Sequence, residues 1–389
     1  MDDAGRRRLK VILSVTPIKY PLTGIGRYTY ELAKGLAAGP QVERLLFAGS
    51  VRLFETLPRP GAEPDWMSRL RGFLLKRRWA VSAYRATVVR WRDRRLRGLE
   101  DHVFHGPNYY LPRFRGPGVV TFHDLSPYLR PEWHPAERVR YMRPEIDLSL
   151  QRATMLITDS EFVRQEVIAR FGWPAERVAA VPLAGAEGFH PRPVEVLSPV
   201  LARYGLAPGG YLLYAGTIEP RKNIDGLLDA YDRLPSSLRR RWPLVLAGFR
   251  GWNSEGLHER IVAQERKGYL HYFGYVPEDH LRSLFAGARL FAFPSLYEGF
   301  GLPVLEALAS GVPVVCSNAS SLPEVTGDAA ATCPPGDVAA LSRLMEMGLT
   351  DEAWRAAAID KGLAQAGRFS WRRCAMETAA VYRTAMNLQ

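Results

Sequence analysis

At 389 residues the chain exceeds what one hydrophobic core organises comfortably, so two domains of ordinary size are expected. Hydrophobic residues at 47% and charged residues at 24% exclude a largely disordered chain, and no apolar run approaches the roughly 18–20 residues that cross a bilayer. The formal net charge is +12, and three cysteines (Cys316, Cys333, Cys374) without CxxC spacing suggest neither a disulfide framework nor a zinc site, which fits a reducing, cytoplasmic compartment.

At the N-terminus Arg6, Arg7, Arg8 and Lys10 stand before a short apolar run, as in a signal peptide. The run is too short for that role and no small-residue cleavage site follows. Residues 9–15 read instead as a first buried strand. After it comes Pro21-Leu-Thr-Gly-Ile-Gly-Arg-Tyr28 and a helix over 25–37. Only Gly24 and Gly26 of a dinucleotide fingerprint are in place around Ile25, so GxGxxG is not completed, but the loop suits an anion.

A second strand is expected over 42–48. Residues 69–98 then carry eleven Arg or Lys against the single acid Asp93, a local excess of +10 that accounts for nearly all of the net charge. Leu70, Leu74, Val81, Tyr84, Val88 and Trp91 recur at helical spacing, while Arg77, Arg78, Arg85, Arg92 and Arg95 fall largely off that stripe. Such a segment reads either as a core-packed helix with a solvated basic face or as a surface for something anionic. With Trp79 and Trp91 present, an anionic membrane is the partner expected.

Strands follow over 102–105 and 119–123, the latter ending at Thr121-Phe-His-Asp124. A lone histidine is more often structural than functional; at the carboxyl end of a parallel strand His123 is a candidate for contact with substrate. Residues 155–158 form a further strand, 161–171 a helix and 178–181 a strand. Three prolines in 190–199 mark a linker.

Alternation then restarts. A strand over 211–216 runs into Gly216-Thr-Ile-Glu-Pro-Arg-Lys-Asn223 before a helix over 224–233. Cations at a helix N-terminus are unfavourable unless an anion lies near, so Arg221 and Lys222 point to a bound diphosphate; a solvated loop is the bland alternative, stronger for Arg221. A strand over 244–248, a helix over 281–286 and a strand over 290–294 lead into Phe291-Ala-Phe-Pro-Ser-Leu-Tyr-Glu-Gly-Phe-Gly-Leu-Pro-Val-Leu-Glu306. Gly299 and Gly301 would let a ligand approach the backbone, Pro303 would begin a helix over 303–309, and the free N–H groups at its start suit phosphate. Taken singly, Glu298 is explained as a helix-dipole partner and Glu306 as part of a buried polar network. Together with the glycines and the proline they indicate a ligand site. A strand over 312–316 and helices to the end complete the chain.

Two α/β domains in tandem place the carboxyl ends of both sheets beside one cleft. These motifs, in this order, resemble the retaining glycosyltransferases of family 4, which have the GT-B fold of two Rossmann-like domains. The stretch around Gly216 resembles their bacterial polysaccharide mannosyltransferase branch. The resemblance implies an acceptor-binding domain over 1–190, a nucleotide-sugar-binding domain over 191–375, and a final helix over 376–389 packing back on the first domain.

It also implies roles. Glu298 would bind the donor sugar, Glu306 the ribose, and the amides of Gly299, Phe300, Gly301 and Leu302 the sugar and diphosphate. Lys222, with Arg221, would neutralise the leaving diphosphate. Gly24, Ile25 and Gly26 would close over it, Gly216 and Thr217 would line the donor site, His123 would lie against the sugar, and the backbone of Tyr275 and Val276 would meet the base. Many members place an arginine where this chain has Thr217, and Arg221 is the substitute expected.

The implied reaction moves a hexose, mannose from GDP-mannose by the branch resemblance, to a lipid-linked or polysaccharide acceptor at the inner face of the cytoplasmic membrane. No Asp-x-Asp metal spacing occurs in the cleft motifs, so no metal or other cofactor is expected. A nucleotide-sugar epimerase, a nicotinamide oxidoreductase and a non-enzymatic basic binding protein are the competing classes. Nucleic acid is not expected as a partner, because the basic segment matches no known binding module.

Overall fold

The computed structural model describes residues 8–22, 24–49, 52–57, 94–252 and 254–389. The expected basic helix over 69–98 therefore lies outside the described residues, apart from its last few. Short Val-, Ile- and Leu-rich runs alternate with longer segments, and such runs are stable only as strands covered on both faces. In the first half they form β1 (Leu9–Ser14), β2 (Val42–Ala48), β3 (Leu53–Phe54), β4 (Val103–Gly106), β5 (Gly118–Phe122), β6 (Met155–Thr158) and β7 (Val178–Ala180). Among the described residues these make one sheet in the order β3-β2-β1-β4-β5-β6-β7. All pairs are parallel except the short edge strand β3, which runs antiparallel to β2.

The second half contributes β8 (Leu212–Ala215), β9 (Leu244–Ala247), β10 (Leu270–Gly274), β11 (Leu290–Phe293), β12 (Val314–Ser317) and β13 (Ala330–Cys333). They pair in parallel in the order β10-β9-β8-β11-β12-β13. The fold class expected from sequence, two doubly wound α/β domains, is the one observed. In each sheet the winding reverses once, between β1 and β4 and between β8 and β11. Ligands settle at such switch points, outside the carboxyl ends of the strands.

Several elements differ from expectation. β3, β10 and β13 went unread because their residues are largely half-buried or exposed and lack a clear apolar run. Residues 194–199, placed in a linker, belong instead to the helix Val194–Ala202 despite Pro199. Leu197 and Leu201, four apart on one face, are buried there, and that burial outweighs the proline. The last helix begins at Trp371, not at 376, and runs to Asn387.

That helix lies on the first sheet. It approaches the helix Gly24–Ala38 so closely that a Cβ on Gly35 would stand 2.7 Å from the Cβ of Ala375. A buried polar chain fixes its position. Tyr382 Oη meets His105 Nδ1 at 2.7 Å, His105 Nε2 meets Thr121 Oγ1 at 2.8 Å, and Thr121 Oγ1 meets Tyr28 Oη at 3.0 Å. Burial, aided by the charge of His123, drives the His105 pKa down to about 3, so this histidine is neutral and serves structure. All three cysteines are buried and unpaired. Among the described residues no helix is long and apolar enough to cross a membrane.

Candidate active site between the two sheets

The two switch points face one another across a cavity of about 410 Å3. Its walls come from segments following β1, β5, β6, β7, β8, β9, β10 and β11, at the carboxyl ends of the two sheets. Contacts between the halves hold the walls together. Tyr297 donates to Glu166 (2.5 Å) and accepts from the amide of Leu125 (3.0 Å). Glu324 accepts from the amides of Glu161 and Phe162 at 2.8 and 2.7 Å, at the start of the helix Glu161–Phe171. An acid there offsets the positive end of the dipole.

After β8 a single 3-10 turn, Pro220–Lys222, carries both cations expected from sequence. Asn223 ends it with φ of 56°, and its side-chain amide donates to the carbonyls of Pro294 (3.0 Å) and Pro335 (2.8 Å). Asparagine tolerates the left-handed region better than most residues. The turn is thereby tied to the strand end that carries Glu298. Lys222 Nζ lies 2.6 Å from Glu298 Oε1, and Arg221 donates to Glu298 Oε2 at 2.7 Å. Arg221 also reaches Glu219 (2.8 Å) and the carbonyl of Tyr297 (2.9 Å).

Burial opposes the charge on Glu298, but Arg221 and Lys222 outweigh it and hold the carboxyl at about 2. Burial, then the neighbouring Arg221, lowers Lys222 from its usual value. Two cations here face two carboxylates. Arg221 is therefore first a clamp on Glu298, and its expected service to a diphosphate in place of an arginine at Thr217 has to share that engagement.

The loop after β11 turns into the helix Leu302–Ala309. Pro303 occupies its second position, not its first, with Gly301 capping it at φ of 115°. The glycines answer to the protein itself as much as to a ligand. A Cβ on Gly299 would sit 1.7 Å from the carbonyl oxygen of His123, across the cleft, so only glycine lets these backbones meet. Ser321 Oγ donates to the carbonyls of Glu298 and Phe300, and Ser320 Oγ accepts from the amide of Glu298. The amide-rich turn is thus held rigidly before any ligand arrives.

Glu306, half-buried one turn inside that helix, lines the same cavity as Glu298. Burial raises its pKa to about 7; Arg27 opposes the rise and Glu278 adds to it. Arg27, in the first turn of Gly24–Ala38, meets Glu278 across the cleft through two bonds of 3.1 and 2.5 Å.

Gly24, Ile25, Gly216, Thr217, Tyr275, Val276, Gly299, Phe300, Gly301 and Leu302 all line the cavity. Gly26 is not among the lining residues. It is buried, and a Cβ there would stand 3.0 Å from the carbonyl of Pro17, so its role is to let the helix begin close against that loop. Tyr275 offers more than backbone, since its exposed ring stacks on Phe249 at 4.8 Å and 23°.

His123 lines the cavity and is largely buried, with Nδ1 2.7 Å from Asp159 Oδ2 and Nε2 2.8 Å from the carbonyl of Pro107. Burial disfavours the imidazolium, but Asp159 overrides it and raises the His123 pKa. Asp159, Arg27, Glu278, Glu219 and Phe249 were not singled out from sequence, though Asp159 and Phe249 follow strands just as His123 does.

Residues 22–184 match the family model described as Glycosyltransferase Family 4, and residues 207–365 that described as Glycosyl transferases group 1. The chain is 46% identical over 380 residues to the O-antigen chain mannosyltransferase B of Escherichia coli, covering 96% of this chain and 100% of that protein. It is 37% identical over 262 residues to the serotype-specific mannosyltransferase WbdA of Escherichia coli, covering 65% of this chain and 32% of WbdA. Among solved structures, WaaG, a glycosyltransferase involved in lipopolysaccharide biosynthesis, superposes with a TM-score of 0.70 at 17% identity, covering 96% of this chain and 99% of that one. HepE of Anabaena, solved with UDP and glucose, superposes with a TM-score of 0.71 at 18% identity over 97% of this chain and all of that one.

Proposed function

The chain belongs to the group 1, family 4 glycosyltransferases of GT-B fold and acts on a glycan acceptor with a nucleotide-sugar donor, and from that premise we propose that it is a retaining mannosyltransferase using GDP-mannose in cell-surface glycan assembly. The observation that carries this reading is the convergence of the Lys222–Glu298–Arg221 cluster with the start of the helix Leu302–Ala309 in one cavity. A diphosphate at that helix start would receive backbone N–H groups, the positive dipole end and the Lys222 ammonium together. The sugar would extend from it toward Glu298 and His123, with the ribose toward Glu306 and the base toward Val276 and the Phe249–Tyr275 rings.

The C1–oxygen bond to the diphosphate breaks as positive charge builds on the anomeric carbon. The acceptor hydroxyl attacks from the same face, and its proton passes to the departing phosphate oxygen. Lys222 and the helix dipole stabilise that phosphate without a metal ion. Mannose is favoured by the similar Escherichia coli proteins, which are mannosyltransferases. We further propose a lipid-linked acceptor, which gives the basic segment over 69–98 an anionic surface to meet.

The test is release of nucleoside diphosphate across a panel of GDP- and UDP-sugars, with and without a strong chelator. GDP-mannose is expected to be consumed fastest, at a rate the chelator leaves unchanged. Preference for another sugar, or loss of activity restored only by magnesium or manganese, would contradict the corresponding part of the proposal.

A further inference from the structure

Asp159 directly follows β6, is 3% exposed, and lines the cavity. Its Oδ2 is engaged by His123 Nδ1 at 2.7 Å. Its Oδ1 is shut off from solvent and has no hydrogen-bond partner. Among the described residues that line the cavity, it is the sole side-chain polar atom so placed. A buried acceptor without a donor costs free energy, and such groups in native proteins call for a reason.

The neighbouring histidine cannot serve in its place. His123 Nε2 faces the carbonyl of Pro107 at 2.8 Å, which only accepts, so Nε2 carries a hydrogen. A second proton lies between Nδ1 and Asp159 Oδ2, whichever of the two atoms holds it. His123 therefore presents no free lone pair to the cavity, and its ring is packed edge-on against Tyr28 (5.1 Å) and Tyr109 (6.1 Å). The other carboxylate on this wall, Asp124, already accepts through Oδ1 from the amide and hydroxyl of Ser126. Asp159 Oδ1 is the buried acceptor on this wall left without a donor.

We infer that, once substrate binding shifts the side chains that cover it, Asp159 Oδ1 accepts a hydrogen bond from a sugar hydroxyl held in the cleft, so that Asp159 contacts substrate while its other oxygen fixes the His123 ring. This rests on the reading of the cleft as the site of glycosyl transfer. The hydroxyl belongs either to the hexose of the donor or to the acceptor sugar. Its chemistry is the same in both, a neutral O–H meeting a buried carboxylate, and a hydrogen bond of that kind is stronger than a neutral pair.

The experiment uses the full chain with Asp159→Ala and, as a second variant should alanine impair folding, Asp159→Asn. GDP affinity, measured calorimetrically, is expected to stay within about twofold of wild type, which also reports that the site has folded. With GDP-mannose and acceptor, kcat/KM is expected to fall about ten- to a hundredfold, the scale of one charged hydrogen bond. Monodeoxy analogues identify the hydroxyl. One of them costs the wild type a similar factor and costs the Asp159→Ala variant nothing further. If that analogue is a donor, Asp159 reads the transferred hexose; if it is an acceptor, Asp159 reads the nucleophile's sugar. If every analogue loses as much activity in the variant as in the wild type, Asp159 only positions His123 and the inference is overturned. A wild type that turns over no nucleotide sugar overturns the functional reading as well, whereas a fault confined to the variants overturns only the role of Asp159.

Discussion

Lys222 Nζ stands 2.6 Å from Glu298 Oε1, although the two residues come from different strand ends and meet only across the second switch point. Both are buried, and Arg221 holds the other carboxylate oxygen. Removing Lys222 leaves the buried Glu298 charge to Arg221 alone, and weakening such a buried pairing is costly in its own right. Lys222→Ala is accordingly expected to lower turnover by about two orders of magnitude, the scale of losing one electrostatic stabiliser from a closed site, and to lower the melting temperature as well. Steady-state rates together with a thermal melt check both. A loss below tenfold in a folded variant would move the diphosphate away from Lys222.

Glu306 supplies a pH dependence of definite sign. With its carboxyl raised to about 7, it is largely protonated at pH 6 and largely ionised at pH 8. An ionised carboxylate accepts from ribose hydroxyls on both oxygens, so the donor KM is expected to fall as pH rises through about 7. Glu306→Gln should flatten that profile, and Glu278→Gln should move its midpoint to lower pH by removing a nearby negative charge. Stability runs the other way. The folded state holds this proton more tightly than the unfolded chain, so Glu306 costs stability as pH rises from the ordinary carboxyl range to about 7. A donor KM that is flat from pH 6 to 8 in wild type would argue against ribose binding by Glu306.

Tyr382 anchors the last helix by its 2.7 Å contact with His105 Nδ1. Tyr382→Phe keeps the packing but strands a polar atom of a buried, neutral histidine, at a cost of about 1–3 kcal/mol. The loss should appear in urea denaturation as a lower midpoint at unchanged slope. Donor binding should be little affected, because Tyr382 and His105 do not line the cavity, which the polar chain reaches only at Tyr28. A midpoint equal to that of wild type would mean that water replaces the hydroxyl.

The membrane proposal rests on charge. Near an anionic surface each cation contributes about 1 kcal/mol, so half of the eleven Arg and Lys in 69–98 suffice for reversible binding. The protein is expected to sediment with vesicles containing anionic lipid at low salt and to be released as salt rises. Changing Arg77, Arg78, Arg92 and Arg95 together to Glu should abolish sedimentation and leave GDP binding unchanged. Wild-type protein that stays in the supernatant would remove the claim.

Two α/β domains were legible in the residues alone, and so were Glu298, Glu306 and Lys222, which line the cavity, and the glycine turns beside them. Each of these signals is local: an apolar run ends, and glycine, proline or charge follows within a few residues, where a parallel strand must deliver its ligand-facing loop. Strands whose faces are only partly covered, such as β10 and β13, carry no such contrast and passed unread. Gly26 was drawn into the site because a glycine's use for close packing and its use for ligand approach look alike until its neighbour, here the Pro17 carbonyl, is known.

Which charges oppose which emerges only once the chain is folded. Arg27 meets Glu278 from 251 positions away, Arg221 is claimed by Glu298 from 77 positions away, and His123 finds Asp159 36 positions on. A charge in a sequence has no assigned counter-ion, because pairing depends on distance in space and on how far water is excluded. Those are set when the two sheets close on one another, and they make Arg221 a clamp, His123 a ring with no lone pair to spare, and Asp159 the acceptor still waiting for a donor.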